Sequence, residues 1–393
     1  MSASGSDDAP AGEQPAFERR KVASMRTDGL LGKGALLLAI LLAPPSLPLL
    51  AQSADSTTPP ILDTQGQPLR GSIASLEPVV LGDVPQWISI RGRDVWNPIL
   101  LHLDTAPGVS DLAAGRHYAQ ELEKHFVVVH WDQRGAGKSF NPKQTGSLQL
   151  ERYVSDTIEL AGQLRGRFRQ DKVYLVGHGF GALVAFMAAQ QHPELFHALV
   201  AVAPMVSAAR NEQVAYRFAL DAAAQAGDTA TLERLRSAGP PPYTGKDMFA
   251  KYAATRDAAV RLAASMYPDN EYRRSGGAPP AEASEYLPSE RERLPRAEAD
   301  VFATVYPQAA RVNLAEQVPS LGVPVYFAMG RYDRTTCATT VESYFNALQS
   351  PKKAFVWFEQ SGVAPIYEEP NAFVQFMVST VLSETLKRRE ATQ

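Results

Sequence analysis

Short apolar runs alternate with helical stripes of apolar residues along most of the chain. The runs are rich in β-branched and aromatic residues, the pattern of strands buried on both faces of a largely parallel sheet. Helical spacing of apolar residues predicts a helix over 150–168, and a second helix should begin near Phe180 and end before Pro193. This alternation predicts a doubly wound α/β sheet. The predicted strands span residues 86–91, 99–103, 126–131, 173–176, 198–203, 323–328 and 354–358.

The alternation stops over residues 206–310. That stretch has helical, polar segments interrupted by loops rich in Gly and Pro, and strand patterns resume after it. We therefore expect a core formed by residues 72–205 and 311–393, with 206–310 inserted as a helical cap. The cap should lie over the C-terminal edge of the sheet, where open α/β folds bind their ligands.

The first 53 residues have the order of an export signal. Basic residues precede an apolar run at 35–43, and the small residues Ala51 and Ser53 stand at positions −3 and −1 of a possible cleavage site. The run is shorter than the ~20 residues that span a bilayer as a helix. We expect an exported protein that is periplasmic or extracellular. The alternative is that residues 1–53 remain uncleaved as an N-terminal membrane anchor. Only in that case do we expect contact with a membrane. Residues 54–71, rich in Thr, Pro, Gln and Gly, are predicted to be a linker.

The composition narrows the classes of function. A hydrophobic share of 45% and a charged share of 21% are ordinary for a globular protein. The net charge of −3 provides no broad basic field, so nucleic acid is not an expected partner. The single cysteine, Cys337, excludes an internal disulfide and a thiolate metal cluster. We expect no metal ion and no cofactor, and a small molecule or peptide as the ligand.

The most informative segment is Gly177-His178-Gly179-Phe180-Gly181, which follows a predicted strand and opens a predicted helix. This is the strand–turn–helix context of the nucleophile elbow, G-x-S-x-G. The central residue is Gly179, which has no side chain to act as a nucleophile. A dinucleotide fingerprint would follow the first strand of its unit, whereas this segment follows the fourth.

Further motifs make the chain resemble the prolyl aminopeptidase branch of the α/β-hydrolases over about 280 residues. The branch's D-Q-R-G-x-G-x-S is intact at 132–139, and 104–108 stands where the branch has H-G-G-P-G. The G-R-x-D-x-T-T motif at 330–336 assigns the acid to Asp333, and the loop at 359–370 assigns the histidine position to Val363. The resemblance implies an α/β-hydrolase fold and hydrolysis of N-terminal residues from peptides, or of related amides and esters.

The histidines give a second argument that needs no alignment. In this fold the catalytic histidine follows the last strand. The seven histidines are His102, His117, His125, His130, His178, His192 and His197, so none lies beyond residue 197. Loss of the serine or histidine of a triad costs roughly 10⁶ in kcat.

We therefore predict vestigial triad positions at Gly179, Asp333 and Val363. The function predicted is a non-catalytic hydrolase-fold protein that binds a small molecule, peptide or partner. The alternatives are an active aminopeptidase- or esterase-like hydrolase using unrecognised groups, and a structural relic without a ligand.

Other residues near the elbow have expected roles. The backbone N–H of Phe180, with one from Thr105 or Ala106, is expected to form an oxyanion hole. Asp104 would oppose an oxyanion there and could bind an amine instead. His178 is a candidate pocket residue, although the simpler interpretation is a strand-end neighbour that points away from the pocket.

Overall fold

The computed structural model describes residues 56–280 and 283–386. The predicted export segment, 1–53, lies outside the described residues. Within them an eight-stranded sheet has the order β1-β2-β4-β3-β5-β6-β7-β8. Strands β3 to β8 are mutually parallel, whereas β2 is antiparallel to both β1 and β4. The strands are β1 Ile73–Leu81, β2 Val84–Gly92, β3 Ile99–Leu103, β4 Val127–Asp132, β5 Val173–His178, β6 Phe196–Val202, β7 Val325–Gly330 and β8 Lys353–Phe358.

Helices lie on both faces of the sheet, and strand residues alternate between two apolar clusters. Leu101, Val129 and Leu175 belong to one cluster, whereas their chain neighbours Leu100 and Val128 belong to the other. The doubly wound α/β fold predicted from the sequence is thus confirmed. The helices are α1 Leu112–Tyr118, α2 Leu150–Phe168, α3 Phe180–Gln191, α4 Ala208–Gln225, α5 Thr229–Ala238, α6 Met248–Ala263, α7 Glu271–Arg274, α8 Pro288–Arg291, α9 Leu294–Ala309, α10 Leu314–Gln317, α11 Ala338–Ala347, α12 Pro365–Glu368, α13 Pro370–Phe376 and α14 Ser383–Thr385.

Strand β1 is the element that sequence analysis missed. It is an edge strand whose residues are mostly half-exposed, and it carries Glu77 and Pro78 in its middle. Pro is tolerated there because an edge strand has an N–H side that needs no partner. Without a buried face, β1 has neither the continuous apolar run nor the alternation that identifies a strand.

Helices α4 to α9 fill the chain between β6 and α10. Among the described residues of this stretch, no element of the sheet is found. Helices α4 to α9 therefore add no strand to the described sheet. Among the described residues, none of the helices combines the length and the apolarity that crossing a bilayer requires.

The segment predicted to be a linker is attached to the body of the protein. Arg91 donates to the Thr58 hydroxyl at 2.7 Å and to the Pro59 carbonyl, and Thr58 donates to Glu285. Ile61 is buried. This departs from the free linker expected over 54–71, because a buried arginine at the end of β2 gives the segment a fixed hydrogen-bonding partner.

Arg91 also pairs with Glu123 at 2.6 Å, and both side chains are under 9% exposed. Arg91→Ala should lower the free energy of unfolding by roughly 3–5 kcal/mol, because it leaves a buried carboxylate without its cation. The control is Arg167→Ala, which removes a pair with Glu77 whose side chains are 40% and 31% exposed. That change should cost less than about 1 kcal/mol. Urea denaturation measures both, and equal losses would contradict this account.

Candidate functional site

A cavity of about 760 Å³ lies at the C-terminal edge of the sheet. Its lining includes Thr105, His178, Gly179 and Val363, together with aromatic and charged side chains from helices α4, α6 and α9. Such a volume lies in the range of ligand sites, about 300–1,000 Å³. The predicted elbow and the predicted histidine position thus line the same cavity.

The elbow has the sharp geometry that its glycines suggest. Gly179 joins β5 to α3 with φ 52° and ψ −111°, a backbone conformation that is strained for side chains other than hydrogen. A Cβ on Gly177 would come within 2.6 Å of the Ala182 Cα, and one on Gly181 within 2.3 Å of the Leu103 carbonyl oxygen. Strand and helix therefore approach too closely for any residue but glycine on either side.

The space next to Gly179 is filled by the backbone of the neighbouring loop. A Cβ at position 179 would meet the Thr105 carbonyl oxygen at 2.6 Å and the Thr105 Oγ1 at 2.9 Å. The Phe180 N–H donates to that same carbonyl at 2.9 Å, and the Gly181 N–H donates to the Asp104 carbonyl at 2.9 Å. The loop is docked onto the start of α3 by two hydrogen bonds.

This docking corrects the expected oxyanion hole. The Phe180 N–H is already bonded to Thr105, and the Thr105 N–H donates to its neighbour's carboxylate, Asp104 Oδ1. Neither of these two donors is free for a ligand in this conformation, whereas Ala106, the other residue predicted to supply a donor, lines the cavity. The carbonyl approaches so closely because residue 179 has no side chain to exclude it.

Asp104 does not reach the cavity. Its side chain is 4% exposed, and its Oδ2 has no hydrogen-bond partner among the described residues. Burial, followed by the nearby charge of Asp111, raises its pKa well above the usual range. The amine-binding role considered for Asp104 therefore has no support from its position.

His178 lines the cavity, and one nitrogen of its ring is hydrogen-bonded to the backbone of Val363. Its Nε2 lies 2.8 Å from the Val363 carbonyl oxygen, which can only accept, so Nε2 carries the hydrogen and Nδ1 a lone pair. The Nδ1 atom has no partner among the described residues. Burial, followed by the charge of His102, lowers the pKa of His178 to about 4, so the ring is neutral at pH 7.

Asp333 and Val363 lie on the two loops that follow β7 and β8. Asp333 Oδ1 accepts from the Thr335 N–H and hydroxyl at 2.7 and 2.8 Å and from the Thr336 N–H at 3.0 Å. Its Oδ2 is buried without a partner in the described part of the chain, and burial raises its pKa. The loop of Val363 is held by Glu368, which accepts the N–H groups on either side of it.

The sequence of this chain is similar to those of known aminopeptidases. The model of the serine aminopeptidase family S33 matches residues 113–267. The probable aminopeptidase YbaC of Bacillus subtilis is 29% identical over 78% of this chain and 96% of its own, and the proline iminopeptidase of Heyndrickxia coagulans is 26% identical over 64% and 80%. The chain has the α/β-hydrolase fold and resembles the prolyl aminopeptidases.

Solved structures support the fold of this α/β-hydrolase. The proline iminopeptidase of Mycobacterium smegmatis superposes with a TM-score of 0.54 at 18% identity, covering 79% of this chain and 99% of that one. A proline iminopeptidase-related protein of Thermus thermophilus gives a TM-score of 0.53 at 19% identity, covering 80% and 98%. Sequence identities this low show a shared fold only.

A buried cluster of His102, Asp111 and His130 was not predicted from the sequence. Their ligand atoms lie within 4.8 Å of one another, a grouping that could hold a metal ion although none was expected from the sequence. The three residues come from β3, the loop before α1, and β4. Only the strand register, with Leu101 opposite Val129, brings the two histidines together. No spacing in the sequence carries that information.

The buried His178 generates a pH-dependence prediction. With a folded pKa of about 4 against 6.5 for the free side chain, unfolded chains bind a proton that the folded protein rejects. Stability from this group is therefore present above pH 6.5 and is lost as the pH falls toward 4, by ~3 kcal/mol in total.

His178→Gln keeps an N–H donor for the Val363 carbonyl without a titrating ring. Urea denaturation across the same pH range should give a shallower decline for this variant than for the wild type. Parallel curves for the two proteins would contradict the assigned burial of a neutral His178.

Proposed function

We propose that this protein is a non-catalytic α/β-hydrolase that binds a small molecule or peptide in the cavity over Gly179. The observation that carries the proposal is the closed elbow, where the Thr105 carbonyl fills the space of a nucleophile and bonds to the Phe180 N–H. Two elements of acyl transfer, a nucleophile and an oxyanion donor, are thus replaced by a single backbone contact.

The second support is the lack of a base. Position 363 carries valine, and the chain has no histidine after His197. His178 is the described histidine that lines the cavity, but its Nε2 is engaged by a carbonyl and its ring is neutral. Among the described residues Asp333 Oδ2 remains unpartnered, with no imidazole N–H to accept.

The cavity itself is suited to binding. Tyr252, Arg256 and Glu298 line it, so it offers a ring face and both signs of charge. A few polar groups in a largely apolar concavity are typical of small-molecule sites. Since several relatives are named as aminopeptidases, we take aminoacyl amides and short peptides as the first ligands to test.

Labelling with a fluorophosphonate and a panel of aminoacyl arylamides and nitrophenyl esters tests the proposal, with a bacterial proline iminopeptidase as positive control. We expect no covalent adduct and turnover no higher than in a blank. Stoichiometric labelling with inhibitable turnover would establish an active hydrolase using unrecognised groups.

Binding is tested separately by ligand-induced thermal stabilisation. Ligand at 100 times its dissociation constant should add about 2.7 kcal/mol of stability. Ala264 lines the cavity, so Ala264→Trp should abolish the shift in Tm, whereas Ala230→Trp on the exposed face of α5 should preserve it. If both variants keep the shift in Tm, the ligand binds at another site. If no ligand of the panel shifts the Tm, the result favours a structural relic that binds no ligand.

Restoring the chemistry should require more than one substitution. Gly179→Ser should be inactive, because an unactivated hydroxyl is a poor nucleophile. It should also be destabilised by more than Gly227→Ser, a control that shares a positive φ (66° against 52°) but has nothing within 4 Å of its Cβ. Denaturation curves measure the difference, and equal losses would mean that Thr105 does not obstruct position 179.

The double variant Gly179→Ser, Val363→His supplies nucleophile and base, with Asp333 present to orient the new ring. We expect esterase activity toward an activated ester only in this combination, and its loss when Asp333→Asn is added. Full activity of Gly179→Ser alone would reveal a base that this account does not contain.

We further propose that the protein is exported, because residues 1–53 have the order of a signal. N-terminal sequencing of protein from a native-like host should give a mature chain that starts near residue 54. Soluble cytoplasmic protein with an intact N-terminus would contradict export.

A further inference from the structure

The cluster of His102, Asp111 and His130 lies apart from the residues that line the cavity. His102 Nδ1 is 2.9 Å and His130 Nδ1 is 3.1 Å from the same oxygen, Asp111 Oδ2. The side chains are 1%, 3% and 4% exposed for His102, His130 and Asp111. Three groups that each can bind a metal therefore converge on one buried point.

The fold holds these groups in place from several sides. Parallel pairing of β3 with β4 sets His102 beside His130, and their ring centroids are 5.2 Å apart. A Cβ on Gly115 of α1 would overlap the His130 ring, so the helix packs directly on the imidazole. Tyr367 donates its hydroxyl to Asp111 Oδ2. Such an outer hydrogen bond to a carboxylate is usual for metal ligands.

The charge of Asp111 is the first argument for a cation. Among the described residues, no Lys or Arg pairs with this carboxylate, and its ion-pair partners are the two histidines. A buried carboxylate needs a cation or several hydrogen bonds to offset the cost of leaving water. The two imidazoles and the Tyr367 phenol supply hydrogen bonds, and a bound cation would add a full positive charge.

The second argument comes from an atom left without a partner among the described residues. If both imidazoles only donate from Nδ1 to Asp111, then His102 Nε2 is a buried lone pair, and it has no partner. The hydrogen bonds around Asp111 therefore leave one nitrogen of the cluster without a partner in the described part of the chain.

We propose that His102, Asp111 and His130 bind a divalent transition-metal ion of the zinc type. Imidazole nitrogen and carboxylate oxygen are zinc ligands at about 2.0–2.2 Å, which sets neighbouring ligand atoms about 3.3 Å apart in a tetrahedron. The observed 2.9 and 3.1 Å fall just short of that spacing, so a small opening of the cluster admits the ion. Because the three ligands are buried and none of them lines the cavity, we assign the ion a structural role.

The test uses full-length protein produced in zinc-supplemented medium, because a closed site fills during folding. Elemental analysis after gel filtration should give one zinc per chain. His130→Gln should lower the metal content and weaken the affinity for Co²⁺ by at least about 10–100-fold, the loss seen when even an outer partner is removed. His192→Gln, on an exposed histidine, should keep the full equivalent.

A measurement on the wild type decides the matter if His130→Gln fails to fold. Protein refolded with Co²⁺ should show two hyperfine-shifted, exchangeable imidazole N–H signals in its proton NMR spectrum, one for each histidine. Folded wild-type protein that holds no metal after both procedures would overturn the proposal in favour of a metal-free hydrogen-bond network around Asp111. Metal that His130→Gln retains in full would overturn it equally, because the ion would then lie elsewhere.

Discussion

The hydrogen bond from the Phe180 N–H to the Thr105 carbonyl determines what the rest of the site can do. It exists because Gly179 has no side chain, so a backbone oxygen comes within 2.6 Å of where a Cβ would stand. One contact removes the room for a nucleophile and engages the donor that would stabilise an oxyanion. Because stabilisation of the oxyanion usually supplies much of the rate enhancement in acyl transfer, the same contact changes the chemistry available at the elbow.

The neighbouring residues make contacts that are not those of a Ser–His–Asp triad. His178 and Val363 bond to each other across the cavity floor, whereas Asp333 keeps its loop hydrogen bonds and leaves Oδ2 without a partner among the described residues. The cavity of about 760 Å³ is open to a ligand all the same. The proposed binding does not require a triad, because helices α4, α6 and α9 and the loops at the end of the sheet line this cavity.

Much of the fold follows from pattern alone. Runs such as 99–103 and 173–176 are buried on both faces, and their apolar composition is sufficient to identify them. Strand β1 was not predicted because it is a half-exposed edge strand. The elbow could be predicted because its glycines and its position after a strand are local features of the sequence. The hydrogen bond between Phe180 and Thr105 could not be predicted, because it joins segments that are distant in the chain. The His102–Asp111–His130 cluster was missed for the same reason, since strand register creates it.

A crystal structure of the protein with an aminoacyl ester at saturating concentration tests the central claim most directly. The account predicts an intact, non-covalent ligand in the cavity, with the Thr105 carbonyl still bonded to the Phe180 N–H. A covalent adduct, cleaved ester, or a ligand carbonyl bound by a freed Phe180 N–H would contradict it.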